Sequence, residues 1–216
     1  WQRHSGIRDS AWQARHLARH VGTLRPVVRA RQSLAGEGLQ VLVYTADQPD
    51  LFARICGYFD GAGFSILDAR VHTARNGYAI DTFQIVSPAL PGHYRELAHM
   101  VESELARSIE RSGPLPEPGK RRLSRRAKSF PVTPRVSLRP DDKAQRWLLG
   151  ISASDRAGLL YLVARVLSHH GLSVQLAKVS TLGERVEDTF LLQGMELQGS
   201  TRQIAIETEL LWALSP

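Results

Sequence analysis

Leu39 to Thr45 reads LQVLVYT, a run of β-formers that predicts a strand. Asp47 and Pro49 follow, and together they predict a helix start, with Pro49 at the first helical position. Leu51, Phe52, Ile55 and Phe59 then recur at i, i+1, i+4 and i+8, one face of a helix. Gly61 and Gly63 end it. Phe64, Ile66 and Val71 predict a second strand. Asn76-Gly77 is a hairpin turn, with a return strand over Tyr78 to Val86. Tyr94, Leu97, Val101, Leu105 and Ile109 mark an amphipathic helix over 92–110. An earlier strand near Pro26 and Val28 completes the order strand, strand, helix, strand, strand, helix. That order predicts an antiparallel sheet with two helices on one face, an α+β sandwich.

The pattern then repeats. DQPDLFARICGYFDGAGFSILDARVHT (47–73) is matched by DRAGLLYLVARVLSHHGLSVQLAKVST (155–181), 108 positions later. Asp47 matches Asp155, Gly63 matches Gly171, and Ala69 matches Ala177. After one deletion, Asp81-Thr82-Phe83 matches Asp188-Thr189-Phe190 at an offset of 107, as a turn of different length would produce. A period this long is a duplicated domain rather than a solenoid. The second copy predicts strands near 134–138 and 146–153, a helix over 157–169, strands over 172–181 and 185–193, and a helix over 200–213. The resulting organisation is a lead-in at 1–22, one unit at 23–112, a Pro-, Gly- and Arg-rich linker at 113–130 and a second unit at 131–216. The two units are expected to pack sheet to sheet or edge to edge.

Charge sharpens this division. The formal net charge is +7 over 216 residues, but it is not spread evenly. Residues 1–31 carry seven arginines against Asp9, and GKRRLSRRAK (119–128) carries six cations. The rest is mildly acidic. A nucleic-acid partner is therefore not favoured: no aromatic residue interleaves the basic cluster, and a solvated linker accounts for it. No apolar run is long enough to span a bilayer, and no signal peptide opens the chain, so a cytoplasmic protein without a membrane partner is expected. The single cysteine, Cys56, cannot form an internal disulfide and is expected to be buried on its helix.

A strand leading into D-x-x-x-L, then a helix, a Gly and a second strand, resembles the ACT family, small ferredoxin-like modules that bind amino acids in regulated proteins. DQPDLFARICG, DARVHT, GYAIDTF and TLGERVEDTF resemble more closely the tandem C-terminal ACT domains of bifunctional uridylyltransferase and uridylyl-removing enzymes, over about residues 20–216. The opening WQRHSGIRDSAWQARH resembles the segment that joins the hydrolase domain of those enzymes to the ACT pair. The resemblance implies two tandem ferredoxin-like ACT domains that sense glutamine. It also implies catalytic domains in cis, which would carry Mg, and the PII protein as substrate of the full-length enzyme. An ACT-mediated dimer is a further expectation. No cofactor is expected in this chain. Two departures stand out: Ala157 occupies a position that is usually Pro, and Ser65 one that is often Asn. The alternatives are an ACT regulatory domain of another amino-acid-metabolism enzyme, or an interaction scaffold without a ligand.

Catalytic signatures are absent: there is no phosphate loop, no G-x-S-x-G and no His-Asp doublet. The candidate chemistry is binding. A helix N-terminus presents unpartnered N–H groups and partial positive charge, which suit an α-carboxylate. By resemblance the ligand residues are Asp47, Gln48, Pro49, Asp50 and Leu51 in the first unit. In the second they are Asp155, Arg156, Ala157, Gly158 and Leu159. Asp68 and Gln175 on the following strands complete the set. Asp47 and Asp155 could accept from an α-amino group, and each is also expected to act as an N-cap worth about 1 kcal/mol. Ala69 and Ala177 leave room for a helix, a ligand or a neighbouring sheet. Other candidates have ordinary readings. ERVED (184–188) predicts a solvated hairpin, HLARH (16–20) an exposed basic helix, and His169-His170 a helix C-terminus.

Overall fold

The computed structural model describes residues 11–34, 37–88, 92–111, 113–119, 132–141, 146–182, 185–194 and 199–215. The first unit runs β1 (Val27–Gln32), β2 (Leu39–Ala46), α1 (Leu51–Gly61), β3 (Ser65–His72), β4 (Tyr78–Val86) and α2 (Tyr94–Glu110). The second repeats it as β5 (Arg135–Pro140), β6 (Trp147–Ser154), α3 (Leu159–His169), β7 (Ser173–Leu182), β8 (Arg185–Gln193) and α4 (Ser200–Leu214). Each four-stranded unit is antiparallel, in the order β1-β2-β4-β3 or its counterpart β5-β6-β8-β7. Moving the first strand to the end of each unit gives βαββαβ, the ferredoxin-like arrangement. The fold is α+β, two such units in tandem.

The helix periodicity becomes burial directly. Leu51, Phe52, Ile55 and Phe59 of α1 are all buried, as are Val101, Leu105 and Ile109 of α2. They join the sheet's inward row, Leu39, Val41, Val43, Phe83 and Ile85, in one core that continues into the second unit. Phe59 is its aromatic hub, 5.4 Å from Phe83 and 6.3 Å from Phe64 between ring centroids.

The units join edge to edge. β3 pairs antiparallel with β7, and the two sheets merge into one of eight strands, β1-β2-β4-β3-β7-β8-β6-β5. Arg70 lies opposite Lys178, and these are equivalent residues of the repeat. Ala69 lies opposite Val179, and Val71 opposite Ala177, which exchanges equivalent pairs. A pseudo-twofold axis therefore passes between Arg70 and Lys178. On the inward side of the seam, Ala69 and Ala177 are buried and α1 meets α3. Gly57 lets this crossing close, since a Cβ there would fall 2.8 Å from the Tyr161 ring.

Pairing at the seam satisfies two strand edges, while β1 and β5 keep the outer ones. Each outer strand gives one N–H to a glutamate of the helix above it. Ala30 donates to Glu102 at 2.8 Å, and Leu138 to Glu207 at 2.9 Å. The two units differ on the opposite face of the sheet. In the first, a helical segment at 11–17 and the chain after it lie on this face. Gln13 Nε2 donates to Thr82 Oγ1, Arg31 stacks on Trp12, and Gly22 N–H donates to the Tyr44 hydroxyl. Leu42 and Tyr44 are buried beneath them. These contacts of Trp12 and Gln13 dock the helix on the sheet, and His16 stands edge-on to Trp12 within it. Among the described residues, no helix is long and apolar enough to cross a membrane.

Candidate functional site

Two cavities flank the pseudo-twofold axis. The first, about 320 Å³, opens at the β2–α1 loop of the first unit and is closed by the end of α3 and the start of β7. The second, about 50 Å³, lies at the β6–α3 loop and is closed by α1 and the start of β3. Each cavity takes its loop from one unit and its far wall from the other. Small-molecule pockets span about 300–1,000 Å³, so the first cavity has ligand size and the second has room for little more than water.

Asp47, Gln48, Pro49, Asp50 and Leu51 all line the larger cavity, and Asp155, Arg156, Ala157, Gly158 and Leu159 all line the smaller. The helix starts differ from expectation. The N-caps are Asp50 and Gly158, both left-handed (φ 62° and 80°), and neither helix has a side-chain cap. Asp47 and Asp155 stand before the loop, so they are not caps, and Pro49 precedes the helix instead of opening it. A tight loop intervenes, in which Leu51 N–H donates to Gln48 O and Leu159 N–H to Arg156 O. Asp47 accepts from the Thr73 hydroxyl at 3.4 Å, and its pKa is raised by burial against these hydrogen bonds. Gln48 gives its amide N–H to Ile109 O, and Arg156 binds Ala213 O, so both tie the loop to the last helix of their unit.

Opposing residues explain the difference in size. The far wall of the larger cavity carries Ala164, Ser168, Leu172 and Val174, whose repeat equivalents in the smaller are Cys56, Asp60, Phe64 and Ile66. Each residue facing the smaller cavity is the larger of its pair. On the near wall, Ala53 of α1 has Tyr161 as its equivalent on α3. The carboxylate has also changed sides. In the first cavity Asp50 of the loop accepts from Ser168 of the wall at 2.6 Å. In the second, Gly158 occupies the loop position and Asp60 the wall, so near that a Cβ on Gly158 would lie 2.8 Å from its Oδ1. Asp60 also accepts from Gly119 N–H, and the Tyr161 hydroxyl donates to Pro116 O, so residues 113–119 are tied beside the smaller cavity.

Each cavity has a buried aspartate in its lining: Asp81 on β4, 1% exposed, and Asp188 on β8, 4% exposed. Both stand where pairing to the next strand is interrupted, Asp81 between the Arg70–Thr82 and Thr73–Ala79 pairs and Asp188 between the Lys178–Thr189 and Thr181–Val186 pairs. Asp81 Oδ1 accepts from His72 N–H and Asp188 Oδ1 from Ser180 N–H, each at 3.2 Å. Burial raises both carboxyls to about 7. The backbone N–H pulls each down, while Asp47 pushes Asp81 up and Asp155 and Glu187 push Asp188 up. The repeated Asp-Thr-Phe was visible in the sequence, but nothing local showed that it reaches the cavities. The far-wall residues carried no signal at all. ERVED is not simply solvated, since Asp188 is buried, while Arg185 and Glu187 form an ion pair. Glu184 lies outside the described residues.

The remaining candidates fall elsewhere. Asp68 pairs with Arg70 at 3.8 Å and lines neither cavity. Gln175 sits at the β7 irregularity, donates to Ser173 Oγ and also lines neither. Cys56 is buried, and burial followed by Asp81 and Asp188 pushes its thiol well up. His169 and His170 clasp Glu209 of α4 at 3.2 and 2.7 Å. Partial burial raises the Glu209 carboxyl, but the two histidine hydrogen bonds outweigh it and hold the pKa below its ordinary value. The basic cluster at 120–128 lies outside the described residues.

No family model matches the chain. It is 55% identical over 213 residues to a bifunctional uridylyltransferase/uridylyl-removing enzyme of Ralstonia nicotianae, covering 96% of this chain and 25% of that protein. The enzyme of the same name from Cupriavidus metallidurans is 56% identical over 209 residues, with 96% and 24% covered. The crystal structure of an aspartate kinase from Synechocystis aligns with 93% of this chain and 38% of its own, at a TM-score of 0.44 and 11% identity, too low to carry an argument. The chain spans about a quarter of the length of the curated relatives it matches. Over nearly its whole length this chain is a homologue of a quarter-length region of the bifunctional uridylyltransferase/uridylyl-removing enzymes.

Proposed function

We propose that this chain is an amino-acid-sensing pair of ACT units, with glutamine as effector, that regulates the uridylylation and deuridylylation of PII by catalytic domains in cis. The observation that supports it best is the cavity of about 320 Å³ at the β2–α1 loop. Its size suits one small metabolite. No side chain caps α1, so its first-turn amides beyond Leu51, whose N–H is held by Gln48 O, can receive an α-carboxylate. The far wall comes from the second unit, so a ligand there bears on both units. Occupancy can then favour one arrangement of the pair over another, which regulation requires. The smaller cavity offers no comparable space.

Calorimetric titration with L-glutamine, with glutamate and an unrelated amino acid as controls, tests this. Expected is selective, saturable binding of one ligand per chain that Ala53→Tyr abolishes. Absence of heat at millimolar glutamine removes the reading.

A further inference from the structure

The larger cavity has an unusual electrostatic composition. Asp47, Asp50 and Asp81 line it, and no lysine, arginine or histidine does so among the described residues. Asp50 is engaged by Ser168 across the seam. Asp81 is 1% exposed and gives one oxygen to His72 N–H. Apolar Val71, Ala79 and Leu172 line the same cavity. A carboxyl buried in such surroundings is costly to ionise without a cation beside it.

We propose that Asp81, with Asp47 at the mouth, is the recognition site for a protonated amine, so that the cavity selects ligands carrying an ammonium group. This rests on reading the cavity as an amino-acid site and adds which protein group takes the amine. The α-carboxylate would lie toward the first turn of α1 and the ammonium toward β4. The titratable neighbours of Asp81 are Asp47 on the loop and Cys56 on α1, and neither supplies a positive charge. The ligand itself brings the missing cation.

Asp188 is the internal control. It accepts the equivalent backbone N–H at the same 3.2 Å, so the two aspartates share the structural task of bridging a gap in the strand pairing. Only Asp81 does so beside a cavity large enough for a ligand.

Because burial raises the empty-state Asp81 carboxyl to about 7, pairing with an ammonium favours its ionised form and drives its proton into solvent near neutral pH. The experiment is calorimetry of L-glutamine binding to the full chain in buffers of differing ionisation enthalpy, from pH 6 to 8. Expected is proton release in the wild-type chain. Asp81→Asn should abolish the release and weaken binding at least tenfold, while Asp188→Asn leaves both unchanged. The des-amino analogue, which lacks the ammonium, should not bind. Equal binding of the des-amino analogue, or undiminished glutamine binding by a folded Asp81→Asn chain, overturns the assignment of Asp81 and leaves the amino-acid site standing. Absence of any glutamine binding overturns both. The des-amino comparison on the wild-type chain does not depend on how well any variant folds.

Discussion

The two cavities are built from the same sequence frame, yet one is about six times the volume of the other. Their loops are matched residue for residue, and both cavities have an aspartate from the Asp-Thr-Phe strand. The difference arises across the seam. Each loop faces the other unit's helix, so substitutions in one repeat reshape the cavity belonging to its partner. Tyr161 narrows the cavity of its own unit, while Cys56, Asp60, Phe64 and Ile66 narrow it from the opposite side. The repeat thus frames two equivalent cavities, one roomy and one packed.

The largest effect should come from emptying the packed site. Tyr161→Ala removes a buried ring and its hydrogen bond to Pro116 O, and should cost about 3–5 kcal/mol in chemical denaturation. If its stability loss stays below about 1 kcal/mol, the aromatic ring is not what fills that cavity.

Next comes the pH response of the paired aspartates. Asp188 has a folded pKa of about 7 against an ordinary 3.8. The folded state therefore holds a proton that the unfolded chain gives up. This contribution is complete below about pH 4 and lost as pH rises through about 7. Thermal melts of Asp188→Asn should show a flatter decline in stability from pH 5 to 8, with a relative gain on the order of a few kcal/mol at the alkaline end. An unchanged slope would place the Asp188 pKa near its ordinary value.

Ala53→Tyr imports the packed site's residue into the open one. Overpacking should cost about 1–3 kcal/mol while abolishing glutamine binding. Retained binding would show that ligand does not occupy the larger cavity. A smaller change is expected from Glu209→Gln, which weakens the α3–α4 clasp by at most about 1 kcal/mol, because the carboxylate is partly exposed. The Glu209 pKa is lowered in the fold, so the clasp is present above about pH 4.5 and fades as pH falls through the lowered value. Melts of the variant and the parent should converge in acid. Asp50→Gly should have the smallest effect. Glycine relieves the left-handed backbone but loses the Ser168 hydrogen bond, leaving stability within about 1 kcal/mol of the parent.

Much of the fold was legible because periodicity reports local environment. Leu51, Phe52, Ile55 and Phe59 could only form a helix with one apolar face, and that face is buried. The 108-residue offset fixed two like units, and the element order fixed their antiparallel sheets. Asp47 was misread as a cap because an aspartate before a helix looks the same whether the helix begins one residue later or four. The φ of Asp50 and Gly158 placed the true start, and Asp50 carried no glycine to announce it. Asp81 and Asp188 were visible as repeated residues, but alternation along a strand cannot say that an inward acid faces a cavity.

By itself, the sequence determined the duplication, the order of elements, the buried faces and the two matched loops that begin the first helix of each unit. Only the tertiary structure decided that β3 meets β7, and therefore which residues of one unit wall the site of the other. The physical reason is that strand edges pair through backbone N–H and C=O groups that nearly every residue carries. Such groups leave no mark in the side-chain pattern, whereas the apolar faces they bring together do.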